Sequence, residues 1–214
     1  MLHSEQLLDS KKLNHFIQYV HTAITETSDL KTLISQLTHP FTEILSEDFI
    51  PESFMDPPLD NFSQYLLYRS LSPEFSLMAM LVPPNVSTPI HDHLAWGLVG
   101  VYQGQQKETV YSIKQVSDSQ QPITLENTNF LYKGDVTVIM PPENDIHMIE
   151  TISDIPSVSL HLLGNDIGCK ERHTYNPKTG DVTSFRSGYV NAMCESIRDD
   201  KPAQTTVPPW PSLG

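Results

Sequence analysis

From about residue 62 onward, short apolar runs rich in Val, Ile, Leu, Tyr and Thr alternate with clusters of turn-forming residues. Many short strands at regular spacing are typical of an all-β sandwich or barrel. The sequence therefore predicts a mainly β fold. The predicted strands are 76–82, 96–102, 108–116, 129–132, 136–140, 147–152 and 157–163, with a further short strand near 182–185.

The N-terminal part of the chain has a different pattern. Between residues 5 and about 47, apolar residues recur at steps of three and four, which predicts amphipathic helices. Ser28 or Asp29 is expected to cap the second helix, and Pro40 to interrupt it. We expect three parts: an N-terminal helical segment, 1–60, packing on a barrel, 61–190, followed by a Pro-rich tail, 191–214, that is extended or poorly ordered.

The charge balance restricts the partners. The 214 residues include 13 basic and 26 acidic ones, for a net charge of -13. This argues against nucleic acid and anionic membranes, because phosphate binding depends on clustered Lys and Arg. It leaves room for a small anionic ligand held by one local Arg.

The same sequence predicts a cytoplasmic location. It has no apolar run of the roughly 20 residues that span a bilayer, and its N-terminus lacks the features of a signal peptide. Cys169 and Cys194 form no CxxC pair and no disulfide framework, so both are expected to be reduced, Cys169 as an ordinary buried thiol.

His91-Asp92-His93 is the sharpest local motif. In a strand, residues two apart share a face, so both imidazoles can reach one ion while Asp92 points away. About fifty residues later, Lys133-Gly134-Asp135 and an apolar run precede a Pro-containing turn that ends at His147. Together these elements resemble the two motifs of the cupin superfamily. The resemblance implies a cupin double-stranded β-helix, a jelly-roll-like barrel, in which His91, His93 and His147 converge on a metal.

The Glu that usually follows the second motif His as a fourth ligand is missing, since residues 94–98 contain no carboxylate. Three neutral imidazoles leave a divalent ion its full charge and open coordination positions, which favour anionic ligands. This donor set suits Fe(II) with dioxygen, and it also accommodates Zn or Ni. A structural zinc is disfavoured because such sites have four protein ligands.

A narrower resemblance is to the cysteine dioxygenase family of cupins, especially the bacterial branch with 3-mercaptopropionate dioxygenases. It covers roughly residues 60–190, and the matching segments are 89–101, 144–147, 153–161, 164–168, 175–180 and 187–189. The resemblance implies a non-haem Fe(II) dioxygenase that adds both atoms of O2, its co-substrate, to a small thiol and forms a sulfinate. His91, His93 and His147 would hold the iron.

The resemblance also implies residues outside the metal ligands. Ser159 and His161 match the start of the family's Ser-x-His-x-Tyr relay, in which Ser fixes the imidazole tautomer; the expected Tyr is Leu163 here. Arg172 is placed where 3-mercaptopropionate-type enzymes have the Arg that grips the substrate carboxylate. Arg69 is the second candidate for that role.

Three classes of function remain open on the sequence. The first is a thiol dioxygenase acting on cysteine, 3-mercaptopropionate or a related small thiol. The second is an iron-dependent oxygenase with a different small anionic substrate, which Leu163 would permit by making one wall of the pocket apolar. The third is a non-catalytic metal-binding cupin, which the retention of three His and the Ser-His pair disfavours.

Overall fold

The computed structural model describes residues 5–54, 61–70, 74–113 and 122–194. Within these ranges lie two helices, a short 3-10 helix (Glu52–Phe54) and eleven strands. The helices are α1 (Lys11–Glu26) and α2 (Leu30–Leu45). The strands are β1 (Glu5–Gln6), β2 (Ser63–Arg69), β3 (Ser76–Val82), β4 (Gly97–Gln103), β5 (Gln105–Ile113), β6 (Ile123–Tyr132), β7 (Val136–Ile139), β8 (Ile146–Thr151), β9 (Ser157–Leu163), β10 (Arg172–Tyr175) and β11 (Val182–Phe185).

The strands form two main antiparallel sheets that share one interior. The larger sheet has the order β1-β2-β3-β9-β4-β7, and the smaller has the order β6-β5-β8. Strands distant in sequence lie side by side in both sheets, and side chains of β5 and β8 hydrogen-bond to β9 across the interior. This crossed order is the jelly-roll arrangement of a cupin double-stranded β-helix. The predicted fold class, mainly β with N-terminal helices, is confirmed.

Strand β9 lies in the centre of the larger sheet and separates the polar interior from the apolar packing on the helices. Alternate residues of a strand point to opposite faces. Val158, Leu160 and Leu162 pack in one apolar cluster with residues of α1 and α2. Ser159 and His161 therefore lie on the other face, inside the barrel, and both are buried.

The helices cover the outer face of the larger sheet. Asp29 caps α2 by accepting a hydrogen bond from the Thr32 backbone N–H at 2.8 Å, as predicted. The expectation that Pro40 interrupts this helix is wrong, because α2 continues through it to Leu45. Pro40 cannot donate to the Gln36 carbonyl one turn earlier, and the Tyr19 hydroxyl of α1 lies 3.5 Å from that oxygen and donates to it instead.

Other differences from the sequence predictions concern the chain ends. Glu5–Gln6 forms a short strand against β2 rather than the start of a helix. Residues 195–214, most of the predicted Pro-rich tail, lie outside the described residues, as does the end of the strand predicted at 108–116.

Neither α1 nor α2, nor any other helix in the described ranges, has the length and hydropathy of a membrane-spanning segment.

Cys169 and Cys194 form a disulfide, so the prediction of two reduced thiols is wrong. Their separation of 25 residues has no sequence signature, and only the fold brings the two together. The segment 187–194 returns along β2, where the Val190 backbone N–H donates to the Gln64 carbonyl and Asn191 donates to the Leu66 carbonyl. The disulfide therefore tethers this returning segment to the loop after β9.

Removing the disulfide should lower the free energy of unfolding. For a closed loop of this length, the lost restriction of the unfolded chain corresponds to about 3 kcal/mol. We expect the double variant Cys169→Ser/Cys194→Ser to unfold at a lower urea concentration, measured by circular dichroism. The wild type with a reductant should match the variant, and a wild-type midpoint unaffected by reductant would contradict the prediction.

Candidate metal centre

The three predicted metal ligands converge at one end of the barrel. His91 and His93 lie in the segment that leads into β4, and His147 lies in β8, where it forms an isolated antiparallel bridge with His91. One ring nitrogen of each histidine lies within 4.8 Å of a ring nitrogen of the other two. All three residues are buried. The structure thus brings together a three-His group that can hold a metal ion.

The tautomers of these three rings suit metal binding. In each ring the Nδ1 atom lies beside a fixed acceptor: the Pro89 carbonyl for His91 at 2.9 Å, and the Asp145 carbonyl for His93 at 3.1 Å. The Nδ1 of His147 lies 2.8 Å from the Glu108 carboxylate. Because these acceptors require a proton on Nδ1, each ring keeps a lone pair on Nε2.

The burial of the rings also keeps their Nε2 lone pairs free for a metal. Burial, followed by the neighbouring imidazoles and Arg172, holds the pKa of His91 and His93 well below the ordinary value for histidine. Both rings are therefore neutral at physiological pH. The Nε2 of His147 is fully buried and has no hydrogen-bond partner in the described structure. A divalent cation would satisfy these lone pairs, so the residues fit a metal ion.

The backbone around His93 is held by the carboxylate of Asp145, which accepts hydrogen bonds from the N–H groups of His93 and Leu94. Leu94 has a left-handed φ of 54°, which turns the chain away from the site after the second ligand. The motif lies just before strand β4 rather than inside it. Even so, the two rings lie side by side, with their centroids 5.0 Å apart, as the HxH pattern predicts.

Glu108 is a site residue that the sequence reasoning missed. It lies on β5, is buried, and accepts hydrogen bonds from His147 Nδ1 and from Asn129 at 2.9 Å. Burial alone would raise the pKa of Glu108, but these hydrogen bonds and the nearby His147 lower it below its usual value. The only sequence signal for it was the alternation Gln106, Glu108, Val110, which puts a carboxylate on the inner face of a strand.

Asp92, expected only to point away from the metal, connects the site to the hairpin of β10 and β11. Its carboxylate accepts hydrogen bonds from the His173 backbone at 2.8 Å and the Tyr175 hydroxyl at 2.9 Å, and one of its oxygens lies 2.8 Å from His173 Nδ1. Its carbonyl accepts from Arg172 at 2.8 Å. The buried carboxylates of Asp92, Glu108 and Asp145 thus surround a site in which the ligands themselves are uncharged.

Arg172 is buried beside the three histidines. Its guanidinium donates to the Asp92 carbonyl and to the Ser187 hydroxyl at 3.0 Å, and it lies over the Phe185 ring, which also contacts the His91 ring edge-on. Burial lowers the pKa of Arg172 to about 10, which keeps it charged. Its Nε has no partner in the described ranges. The role predicted for Arg172, binding a substrate carboxylate, remains a prediction.

Arg69, the second candidate for binding a substrate carboxylate, forms its ion pairs in another part of the structure. Arg69 forms ion pairs with Glu5 and, at 3.1 Å, with Asp166, and it donates to the Met193 carbonyl. These partners belong to the N-terminal strand, the loop after β9 and the returning segment. Arg172 instead lies over the Phe185 ring, which also contacts His91, so the geometry favours Arg172 over Arg69.

Ser159 and His161 make the contact expected of the first two relay positions. Ser159 Oγ lies 2.9 Å from His161 Nε2. Burial, followed by the neighbouring His147 and Arg172, lowers the pKa of His161 to about 3, so this ring is neutral. Its Nδ1 is buried and has no partner among the described residues.

Leu163 belongs to an apolar cluster with Met78, Val99, Ile139 and Tyr189. Other tyrosines make contacts elsewhere: Tyr102 lies on the outer face, where its hydroxyl accepts a hydrogen bond from the Phe49 backbone. The hydroxyls of Tyr175 and Tyr189 donate to Asp92 and Asp166, respectively.

No known family model matches the sequence. Solved structures similar to the chain include a cupin superfamily protein from Desulfitobacterium hafniense, with 17% identity over 56% of this chain and 94% of that one and a TM-score of 0.39. A Cupin 2 conserved barrel domain protein from Salinispora arenicola has 15% identity over 56% of this chain and 91% of that one, with a TM-score of 0.40. The cupin domain of Schizosaccharomyces pombe Cnp3 has 16% identity over 49% of this chain, with a TM-score of 0.38.

The chain spans 65% of that Cnp3 chain, slightly less than two thirds of its length. All three TM-scores are below 0.5, so the fold assignment depends on the strand order and register described above rather than on these similarities.

Metal affinity should depend on Glu108 as well as on the ligands. Glu108→Gln keeps an acceptor for His147 but removes the charge that makes the imidazole a stronger donor, so we expect a 10- to 100-fold weaker affinity. Competition titrations of Zn(II) and Fe(II) against a chromophoric chelator measure it. The matched control is Glu150→Gln, a partly exposed carboxylate on β8 paired with Lys107. His147→Ala should abolish binding, and unchanged metal content in that variant would contradict the site.

Proposed function

We propose that this protein is a non-haem Fe(II) dioxygenase that converts a small anionic thiol, such as 3-mercaptopropionate or cysteine, to a sulfinate. One observation carries the proposal: the lone pairs of His91, His93 and His147 converge next to the buried guanidinium of Arg172. A three-imidazole metal site with open positions and an adjacent fixed cation suits a small substrate that is a metal ligand at one end and an anion at the other.

When bound, Fe(II) would supply the redox chemistry that joins dioxygen to the substrate sulfur. The protein residues bind and orient the substrate. Two N–H groups of Arg172 donate to the Asp92 carbonyl and the Ser187 hydroxyl, and its Nε–H has no partner among the described residues. Arg172 can therefore bind a carboxylate without losing the contacts that position it. The surrounding barrel excludes water from this charged pair and strengthens its attraction.

The carboxylates behind the histidines adjust the charge of the site. With Asp92, Glu108 and Asp145 ionised, their three negative charges would balance a divalent ion and one guanidinium. Three neutral imidazoles alone would leave the ion its full charge, but here the negative groups lie behind the ligands, and the cationic groups face the substrate. An incoming anion is attracted locally although the whole protein is acidic.

Leu163 favours a second candidate, an iron-dependent oxygenase acting on a different small anion. Its side chain is fully buried in an apolar cluster with Met78 and Val99. The family's hydroxyl is thus replaced by an apolar wall on the strand that carries His161, and a substrate with an apolar body would pack there more favourably than a short thiol.

Oxygen uptake by the iron-loaded protein tests the proposal with 3-mercaptopropionate, cysteine and cysteamine as substrates. Arg172→Lys keeps the charge but loses the planar donor fork, so we expect KM for 3-mercaptopropionate to rise about tenfold or more. The KM for cysteamine, which has no carboxylate, should change little. Arg186→Lys, at a half-exposed arginine near Glu171, is the matched control. Inactivity on all three thiols with iron bound would reject thiol dioxygenation.

Substituting Leu163 distinguishes the two candidates. If the substrate is a thiol, Leu163→Tyr should raise thiol-dependent oxygen uptake, because it restores the hydroxyl of the relay. Leu163→Phe is the control, since it adds the same ring without the hydroxyl. Thermal unfolding should be compared for both variants, because overpacking of this cluster costs about 1–3 kcal/mol. Equal uptake by two folded variants would favour the second candidate.

A further inference from the structure

A chain of buried polar side chains crosses the barrel interior from β3 to His161. It consists of Thr151, Ser157, Gln106 and Ser159, and none of these residues is more than a few per cent exposed. The distances between successive polar atoms are 2.5 Å for Thr151 to Ser157, 3.0 Å for Ser157 to Gln106 and 3.3 Å for Gln106 to Ser159. Buried groups of this kind are usually paired. In this chain the Gln106 Oε1 atom has no partner among the described residues, and the other side of the amide makes both of its hydrogen bonds.

The direction of every bond in this chain follows from its first member. The Thr151 hydroxyl lies 2.8 Å from the backbone carbonyl of Val82, which can only accept, so Thr151 donates its single proton there. Thr151 must then accept from Ser157. Because the Ser157 proton is used in this way, the Ser157 oxygen accepts from Gln106, and this requires the NH2 side of the Gln106 amide to face the serines.

The second proton of that NH2 group is donated to Ser159. The other partner of Ser159 Oγ among the described residues is Nε2 of His161, at 2.9 Å, so the Ser159 hydroxyl proton is paired only if it is donated there. Nε2 of His161 is then an acceptor. Since the ring is neutral, its proton is on Nδ1, an atom that is buried and has no partner among the residues described.

We infer that this one-way chain, starting at the Val82 carbonyl, fixes His161 as the Nδ1–H tautomer, and that this N–H is an anion-binding donor in addition to Arg172. Gln106 is the positioning residue, because the orientation of its amide transmits the direction of the bonds. The tautomer follows from the hydrogen bonds alone. The role of the N–H in ligand binding rests on the proposed function and specifies how its substrate is held.

The unused donor is explained by the residue that replaces the family's tyrosine. At position 163, on the same face of β9 as His161, the side chain is Leu, which offers no acceptor. His161 pairs with Val99 of β4, the strand that the His91–His93 segment leads into, and its Nδ1, like Arg172 Nε, is buried and unpartnered among the described residues. A carboxylate or thiolate bound at the site would satisfy a donor that otherwise stays buried and unpaired.

Nitrogen-15 NMR of metal-free protein at neutral pH tests the tautomer directly. The His161 signals are assigned by their loss in His161→Gln. We expect wild-type His161 to be entirely the Nδ1–H form. Thr151→Val, which is isosteric, removes the anchor at Val82 and should produce a mixture with the Nε2–H form. Gln106→Glu replaces the donor by an acceptor and should shift the ring towards Nε2–H. Thr109→Val, at a buried threonine of β5 outside the chain, should leave the wild-type tautomer.

An Nε2–H tautomer in the wild type, or an unchanged tautomer in folded Thr151→Val, would overturn the inferred chain. The ligand role is tested by titrating propionate, a carboxylate without a thiol, into the same protein. Saturation should shift the Hδ1 resonance of His161 downfield, and a stationary resonance would overturn its role as an anion donor. Neither measurement needs iron or oxygen, so failure of this inference is distinguishable from failure of thiol dioxygenation.

Discussion

The site depends on three hydrogen bonds that hold the far side of three imidazole rings. Two are made to backbone carbonyls, those of Pro89 and Asp145, and the third to the buried carboxylate of Glu108. Because each acceptor receives a hydrogen bond from Nδ1–H, the lone pair of each ring is on Nε2, and its direction is fixed for binding a metal. The barrel is organised around this requirement: β5 supplies Glu108, β8 supplies His147, and the segment before β4 supplies the other two rings.

A polar interior is costly in a β barrel, and its position here follows from the two faces of β9. The outward residues Val158, Leu160 and Leu162 join the apolar cluster under the helices and stabilise the fold. The inward residues are therefore free to be polar, provided that each one finds a partner. Ser157 and Ser159 meet this condition through the chain described above. Among the described residues, five buried side-chain atoms lack a partner: Gln64 Oε1, Gln106 Oε1, His147 Nε2, His161 Nδ1 and Arg172 Nε.

Much of the architecture could be predicted from local patterns. Strands 76–82, 157–163 and 182–185 were predicted with their observed bounds, since alternation and turn residues determine such elements locally. The Asp29 cap and the HxH pair were predicted for the same reason. Pro40 was misjudged because the partner that satisfies the freed carbonyl, Tyr19, lies on another helix. The disulfide was missed because it has no local signature, and Glu108 because strand alternation is only a weak one.

The sequence by itself pointed to the residues that can hold a metal: the spacing of His91 and His93 pairs these two rings, and the resemblance to the cupin motifs adds His147. Only the tertiary structure decided which nitrogen of each ring is available and which carboxylates are buried around the site. It also decided that Arg172 rather than Arg69 lies beside the site. These properties are set by acceptors from strands distant in sequence, such as Glu108 for His147, and pairing between distant strands is a property of the whole barrel.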